Sequence, residues 1–254
     1  MKITLYPKYL IRSLFVHDRH DFFKAGYKLL YPEYSRHGMT PWQHYVMDGK
    51  RKGFGIGNNP PENVIFPEGY ELEYPDVKAA GVDPWRHYAE KGVAEGRDNG
   101  YHPIESLFFA AGYKEMYPDV AKSGMDPWRH YVMYGKKEGR DNGHHPKENQ
   151  FFEEGYKYNY PSSICEIYGN DLWLNYVKVG KSKGRNNGLA PTEPFFYDAY
   201  IETHKGASLF QAWKDYVLNP LKKAQSHFLC DRGFMSYSIL LISIILRKKY
   251  SSSG

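Results

Sequence analysis

Cysteine is scarce in this chain, with only Cys165 and Cys230 among 254 residues. Neither stands at a spacing that suggests a disulfide framework or a zinc site. The N-terminal stretch MKITLYPKYLIRSLFVHDRH has no sustained apolar core and no small-residue cleavage site, so no secretory signal is read there. A cytoplasmic location is the resulting expectation. The apolar stretch FMSYSILLISIIL at 234–246 is thirteen residues long. A helix of that length falls short of the roughly 30 Å hydrocarbon core of a bilayer. Also missing are a G-x-S-x-G elbow, a phosphate-binding loop, a dinucleotide fingerprint and a metal-binding D-x-D pair. The expectation is therefore no enzyme within this chain, no cofactor and no metal.

Aromatic residues are plentiful instead: 24 Tyr, 14 Phe and 5 Trp make up 17% of the sequence. Rings with a polar edge can bury much area while keeping a hydrogen bond, so an ordered body is expected rather than disorder. The net charge of +5 is unevenly spread. From Lys205 onward eight basic residues face two acidic ones, whereas the first 204 residues hold 26 basic and 27 acidic. A nucleic-acid binder carries positive charge on its folded body, and this body is neutral, so nucleic acid is set aside as a partner.

The sequence repeats. Residues 82–100, VDPWRHYAEKGVAEGRDNG, and 125–143, MDPWRHYVMYGKKEGRDNG, agree at thirteen of nineteen positions. Gly-Tyr pairs at 26–27, 69–70, 112–113 and 155–156 are spaced by 43 residues, and Ala199-Tyr200 comes 44 later. Trp42, Trp85, Trp128, Trp173 and Trp213 keep the same register. Such a period is that of stacked supersecondary units. The reading is an all-α fold, an α-solenoid of about five tandem two-helix repeats. It assigns 1–20 to an N-terminal cap and 21–63, 64–106, 107–149 and 150–193 to four repeats. A degenerate fifth repeat takes 194–225, and 226–254 form a basic and apolar tail.

Within the third unit, Phe109, Gly112, Tyr113 and Met116 recur at the spacing of an apolar helical stripe. Pro118 interrupts, and PDVAKSG reads as a short helical turn closed by Gly124. Asp126-Pro127 starts a second helix, with Asp as N-cap, that aligns Trp128, Tyr131, Val132 and Gly135 and ends at Gly139. The glycine inside the first helix costs about 1 kcal/mol relative to Ala, so its recurrence marks a close helix crossing.

Several of these residue types also serve active sites. His44, His87 and His130 lie about 200° round the wheel from the core stripe, which places them at a polar surface or between repeats. Equivalent positions in stacked helices are on the order of 10 Å apart, too far to share one metal ion. His102, His144 and His145 have no completing ligands, and RDNG lacks the alternating acids of a calcium loop, so both read as turns. Arg97, Arg140 and Arg185 form a row after each second helix, Phe54 replacing the arginine in the first unit. They either pair with carboxylates or helix ends inside the repeat, or line a groove that hydrogen-bonds sugars or anionic glycans beside stacking tyrosines. The candidate ligand-binding set is therefore Arg97, Arg140, Arg185, Asn99, Asn142, His87 and His130.

The unit FFAAGYKEMYPDVAKSGMDPWRHYVMYGKKEGRDN resembles a tandem repeat found beside bacterial glycosyltransferase domains of surface-polysaccharide biosynthesis, and in large secreted calcium-binding repeat proteins. The resemblance covers residues 21–193 and is tightest at Tyr74–Asp98 and Tyr117–Asp141. It implies a non-catalytic helical module in bacterial cell-surface glycan assembly, binding glycan or a partner protein. The alternatives are a non-catalytic part of a glycosyltransferase whose catalytic domain lies elsewhere, and an interaction scaffold unrelated to glycans. The tail at 234–249 is open to three readings: a capping helix, a peripheral membrane contact aided by Arg247, Lys248 and Lys249, or an altered end.

Overall fold

The computed structural model describes residues 19–192 and 208–219, and these are helix, turn and loop without a strand. The first repeat runs α1 (Lys24–Leu30), a 3-10 segment (Pro32–His37) and α2 (Pro41–His44). The second runs α3 (Pro67–Glu73), α4 (Pro75–Ala79) and α5 (Pro84–His87). The third repeats that order as α6 (Ala110–Met116), α7 (Pro118–Ser123) and α8 (Pro127–His130). In the fourth, α9 (Glu153–Asn159) and a 3-10 segment (Pro161–Cys165) precede α10 (Leu172–Asn175). The fifth is described only as α11 (Leu209–Leu218). This is an all-α repeat fold. The apolar tail and the cap before residue 19 lie outside the described residues. No helix among the described residues is long and apolar enough to cross a membrane.

The chain divides into two compact units, Met1–Ala110 with Asp119–Asn142, and Ala111–Pro118 with Gly143–Gly254. In the first, Phe23, Ile65, Tyr70, Val77 and Trp85 form a buried cluster drawn from two successive repeats. In the second, Phe152 of the fourth repeat packs with Ala212, Trp213, Tyr216 and Val217 of α11, so the degenerate fifth repeat keeps its packing role.

The helix preceded by Asp starts as the sequence implies. The side chains of Asp83, Asp126 and Asp171 accept hydrogen bonds from the backbone N–H of Arg86, Arg129 and Leu174 at 2.9, 2.9 and 2.8 Å, and each caps a helix. Thr40 does the same in a capping box with Gln43. Beyond this start the second helix departs from plain α geometry. After one turn the chain widens into a π-helical turn: Tyr45–Gly49, Tyr88–Gly92, Tyr131–Gly135 and Tyr176–Gly180. The backbone N–H of Lys50, Val93 and Lys136 reaches back five residues to Tyr45, Tyr88 and Tyr131 at 2.8, 3.0 and 2.8 Å. A π turn is rare and persists where packing rewards it. Here its final glycine (Gly49, Gly92 or Gly180) lies against the hydroxyl of Tyr27, Tyr70 or Tyr156, where a methyl group would collide.

The glycine inside the first helix has a different neighbour from the one the sequence implies. A methyl group on Gly26, Gly69 or Gly155 would overlap the carbonyl oxygen of Gly57, Gly100 or Gly188. The close approach is made by a loop, not by a crossing helix. Those loop glycines have φ of 93°, 88° and 82°, a left-handed backbone that turns their carbonyl onto the helix. The same carbonyl then accepts the indole N–H of the following repeat. Trp85 donates to Gly57, Trp128 to Gly100, Trp173 to Gly143 and Trp213 to Gly188, at 2.7, 2.8, 2.8 and 2.7 Å. Helix glycine, loop glycine and tryptophan are thus one device that joins a repeat to the next.

Candidate functional site

The residues that looked chemical in sequence are largely used inside the repeat. Asn99, Asn142 and Asn187 donate from their side chains to the carbonyls of Val64, Leu107 and Gln150 at 3.0, 2.9 and 2.9 Å. Their own carbonyls accept the N–H of Phe66, Phe109 and Phe152. Each asparagine therefore ties the end of a repeat to that repeat's beginning.

The helical wheel implies a surface or inter-repeat position for the histidines, and His44 departs from it by pairing inside its own repeat. His44 is 1% exposed, and its Nδ1 shares a 2.8 Å hydrogen bond with the hydroxyl of Tyr27, the tyrosine of its own Gly-Tyr pair. His87 meets Tyr70 in the same way at 2.9 Å. His130 is partly buried, its ring tilted against Tyr134 at 5.7 Å. In the fourth repeat Asn175 takes the place, accepting from Tyr156 at 2.9 Å. Burial pushes the Tyr70 hydroxyl up to about 12, so this hydroxyl stays protonated and hydrogen-bonded at neutral pH.

The arginine row is paired, as the first of its two readings holds. Arg97 forks onto Asp76 at 2.9 and 2.8 Å, reaches Glu95 at 2.6 Å, and lies over the Tyr74 ring at 4.8 Å. Arg140 contacts Asp119 at 2.8 Å and Glu138 at 2.6 Å. Arg185 forks onto Glu166 at 3.0 and 2.7 Å and lies over Tyr160. The guanidinium beside each carboxyl holds Asp76, Asp119 and Glu166 below the usual carboxylate range.

Two other arginines, from the P-W-R-H start of α5 and α8, have a different setting. Arg86 lies over the Phe23 ring at 4.9 Å, and Arg129 over Phe66 at 6.0 Å. Among the described residues neither forms an ion pair with a carboxylate. Each stands at a cleft in the first compact unit. Nothing in the sequence separates them from the capping motif around them. Only a carboxylate's proximity, which is a tertiary fact, distinguishes Arg97 from Arg86.

The first cleft, of about 690 Å³, lies between α1 and α5 and is lined by Lys24, Lys28, Leu29, Arg86, Glu90 and Val93, with His20 and Asp21 at its margin. The second, of about 460 Å³, includes Asn59, Glu62, Phe66, Glu68, Tyr101 and Arg129, with Asp83 and Trp85 in its wall. In it the Tyr101 ring tilts against Phe66 at 5.6 Å, and the Tyr101 hydroxyl donates to the Glu62 carbonyl. Asn58 lines the second cleft and joins it to the first. Its amide donates to the Asp21 carbonyl at 2.6 Å, and its oxygen lies 3.5 Å from Arg86 Nη2.

The volumes fall in the range of small-molecule sites, about 300–1,000 Å³. Neither cleft holds a nucleophile paired with a base. Among the described residues no group of three His, Cys, Asp or Glu side chains is placed to hold a metal ion. Cys165 is free and exposed, remote in sequence from both clefts. The clefts are lined by carboxylates, amides, cations and the half-buried Tyr101 ring. No family model, no curated protein and no solved structure matches the chain.

Proposed function

We propose that the chain is a non-catalytic binding module that takes a glycan in the cleft floored by Phe66 and Tyr101, in the setting of bacterial surface-glycan assembly. One observation supports this reading above others: the second cleft sets the half-buried Tyr101 ring, packed on the buried Phe66, beside hydrogen-bond acceptors that the protein leaves unpaired. Glu62 and Glu68 form no ion pair among the described residues, and Asn59 is exposed at the rim. A sugar ring has C–H faces that pack on aromatic rings and hydroxyls that need directed acceptors, and this cleft supplies both. The setting rests on the resemblance of the repeat to units that accompany glycosyltransferases. The arginine row adds nothing to the reading, because carboxylates already hold it.

A glycan array probed with the whole chain tests the reading. Retained oligosaccharides are expected to lose at least tenfold in affinity with Tyr101→Ala and with Glu68→Gln, and to be unaffected by Arg97→Lys. Both cleft variants should keep the wild-type circular dichroism, since Tyr101 and Glu68 lie at the cleft and not in the buried cluster. An array with no retained glycan of any class overturns the proposal and leaves the protein scaffold as the reading.

A further inference from the structure

The two adjoining clefts carry opposite charge. In the second, Glu62, Glu68 and Asp83 face Arg129. In the first, Lys24, Lys28 and Arg86 face Asp21 and Glu90, with His20 at the margin. Lys24 and Lys28 are one turn apart on α1, so they present to the same side. Arg86 comes from the following repeat and is held over Phe23. Among the described residues none of these three cations is in an ion pair, although Asp21 and Glu90 line the same cleft. The arginines of the row, by contrast, are met by carboxylates, as Arg97 is by Asp76 and Arg185 by Glu166. Three cations lining one cleft without a carboxylate partner, Arg86 meeting only the neutral Asn58 oxygen and the Phe23 ring, are a place for an anion.

Asn58, which lines the second cleft, contacts Arg86, which lines the first, so the two clefts adjoin at this pair. We propose that the first cleft binds the anionic group of an acidic oligosaccharide whose neutral part occupies the second, the anionic group being a carboxylate or a phosphate on the sugar. This assignment rests on the glycan-binding reading above and names the class of glycan. Lys24 and Lys28 would supply mobile ammonium groups, and Arg86 a fixed planar fork, to that group. Leu29 and Val93, 37% and 46% exposed, would cover the sugar's apolar edge.

The experiment is an array printed in matched sets: uronic-acid oligosaccharides, their carboxyl-reduced neutral forms, and phosphorylated counterparts, probed at about 0.15 M salt, where the screening length is about 8 Å. The whole chain is compared with a Lys24→Glu/Lys28→Glu variant, in which both exposed positions leave the core untouched. Expected is at least tenfold preference for one acidic member over its neutral form, abolished in the variant while neutral binding stays within twofold. The carboxylate and phosphate arms identify which anion is read. Equal binding of acidic and neutral forms overturns this inference and leaves the glycan reading standing. A preference that survives the double charge reversal overturns the assignment to this cleft. Failure of every member to bind removes the glycan reading itself, and the inference falls with it.

Discussion

The first and second repeats close in different ways at the same place. In the second, Arg97 lies over the Tyr74 ring at 4.8 Å and forks onto Asp76, while the hydroxyl of Tyr74 accepts the N–H of Asp98 at 2.7 Å. In the first, Phe54 stands at the arginine's position and stacks on Tyr31 at 4.2 Å and 6° between planes, while the Tyr31 hydroxyl accepts the N–H of Gly55 at 2.9 Å. The fourth repeat keeps the arginine but draws its carboxylate from Glu166 in a rebuilt loop. What is common to all three is a flat group on a tyrosine ring whose hydroxyl holds the next backbone N–H. The positive charge is optional. A ligand ladder would not tolerate phenylalanine in its first rung, whereas a closure device does.

The framework shared by both closures should be the most sensitive part of the molecule. Gly69→Ala forces a methyl into the Gly100 carbonyl, a backbone group that cannot swing aside. A loss of about 3 kcal/mol is expected, at the upper end of overpacking effects. Gly81→Ala is the control. Gly81 has φ of 63° but nothing within 4 Å of an added methyl, so only the left-handed strain of about 1–2 kcal/mol applies. Thermal unfolding followed by circular dichroism checks both. Equal losses at the two positions would break the claim that loop and helix are pressed together.

Much of this framework is legible in the sequence. The 43-residue period, the Asp caps and the tryptophan register arise from residue types that admit few other uses. The partner of each tryptophan does not, because a loop carbonyl carries no residue-specific mark. The histidine position is misread for a related reason. A wheel assumes one buried stripe, but the side of α2 and α5 away from the tryptophan also has a partner, the Tyr27 or Tyr70 hydroxyl of the repeat's first helix, which meets His44 or His87 at 2.8 or 2.9 Å. The clefts are the least legible part. Arg97 stands out in the sequence and Arg86 does not, and the carboxylate that consumes Arg97 sits 21 residues earlier, at Asp76.

The closures themselves can be exchanged. Arg97→Phe rebuilds in the second repeat what Phe54 does in the first, and the Tyr74 ring is there to receive it. Its melting temperature is expected within about 1 °C of wild type, whereas Arg97→Ala uncovers that ring and should lower it by about 3 °C, the scale of 1 kcal/mol in a chain of this size. If phenylalanine and alanine prove equally harmful, the ion pair and not the ring cover closes the second repeat.

The exchange should also show as a small change in pH dependence. Asp76 has its pKa lowered from the ordinary 3.8, chiefly by the hydrogen bonds from Arg97. A carboxylate depressed in the folded state contributes stability that is fully present above its unfolded value and is lost as pH falls through the folded one. The wild-type melting temperature is therefore expected to fall as pH drops below about 5, through 3.8 and lower. Asp119 and Glu166, lowered by Arg140 and Arg185, give the same slope in wild type and variant alike. The Arg97→Phe variant should lack only the Asp76 share, so its melting curve between about pH 5 and 2 should be the flatter of the two. The effect is small because Asp76 is 60% exposed and its pair is screened by water. Parallel curves would mean that the fork contributes nothing to folding, and that the arginine is kept at this position for the face it lays on Tyr74.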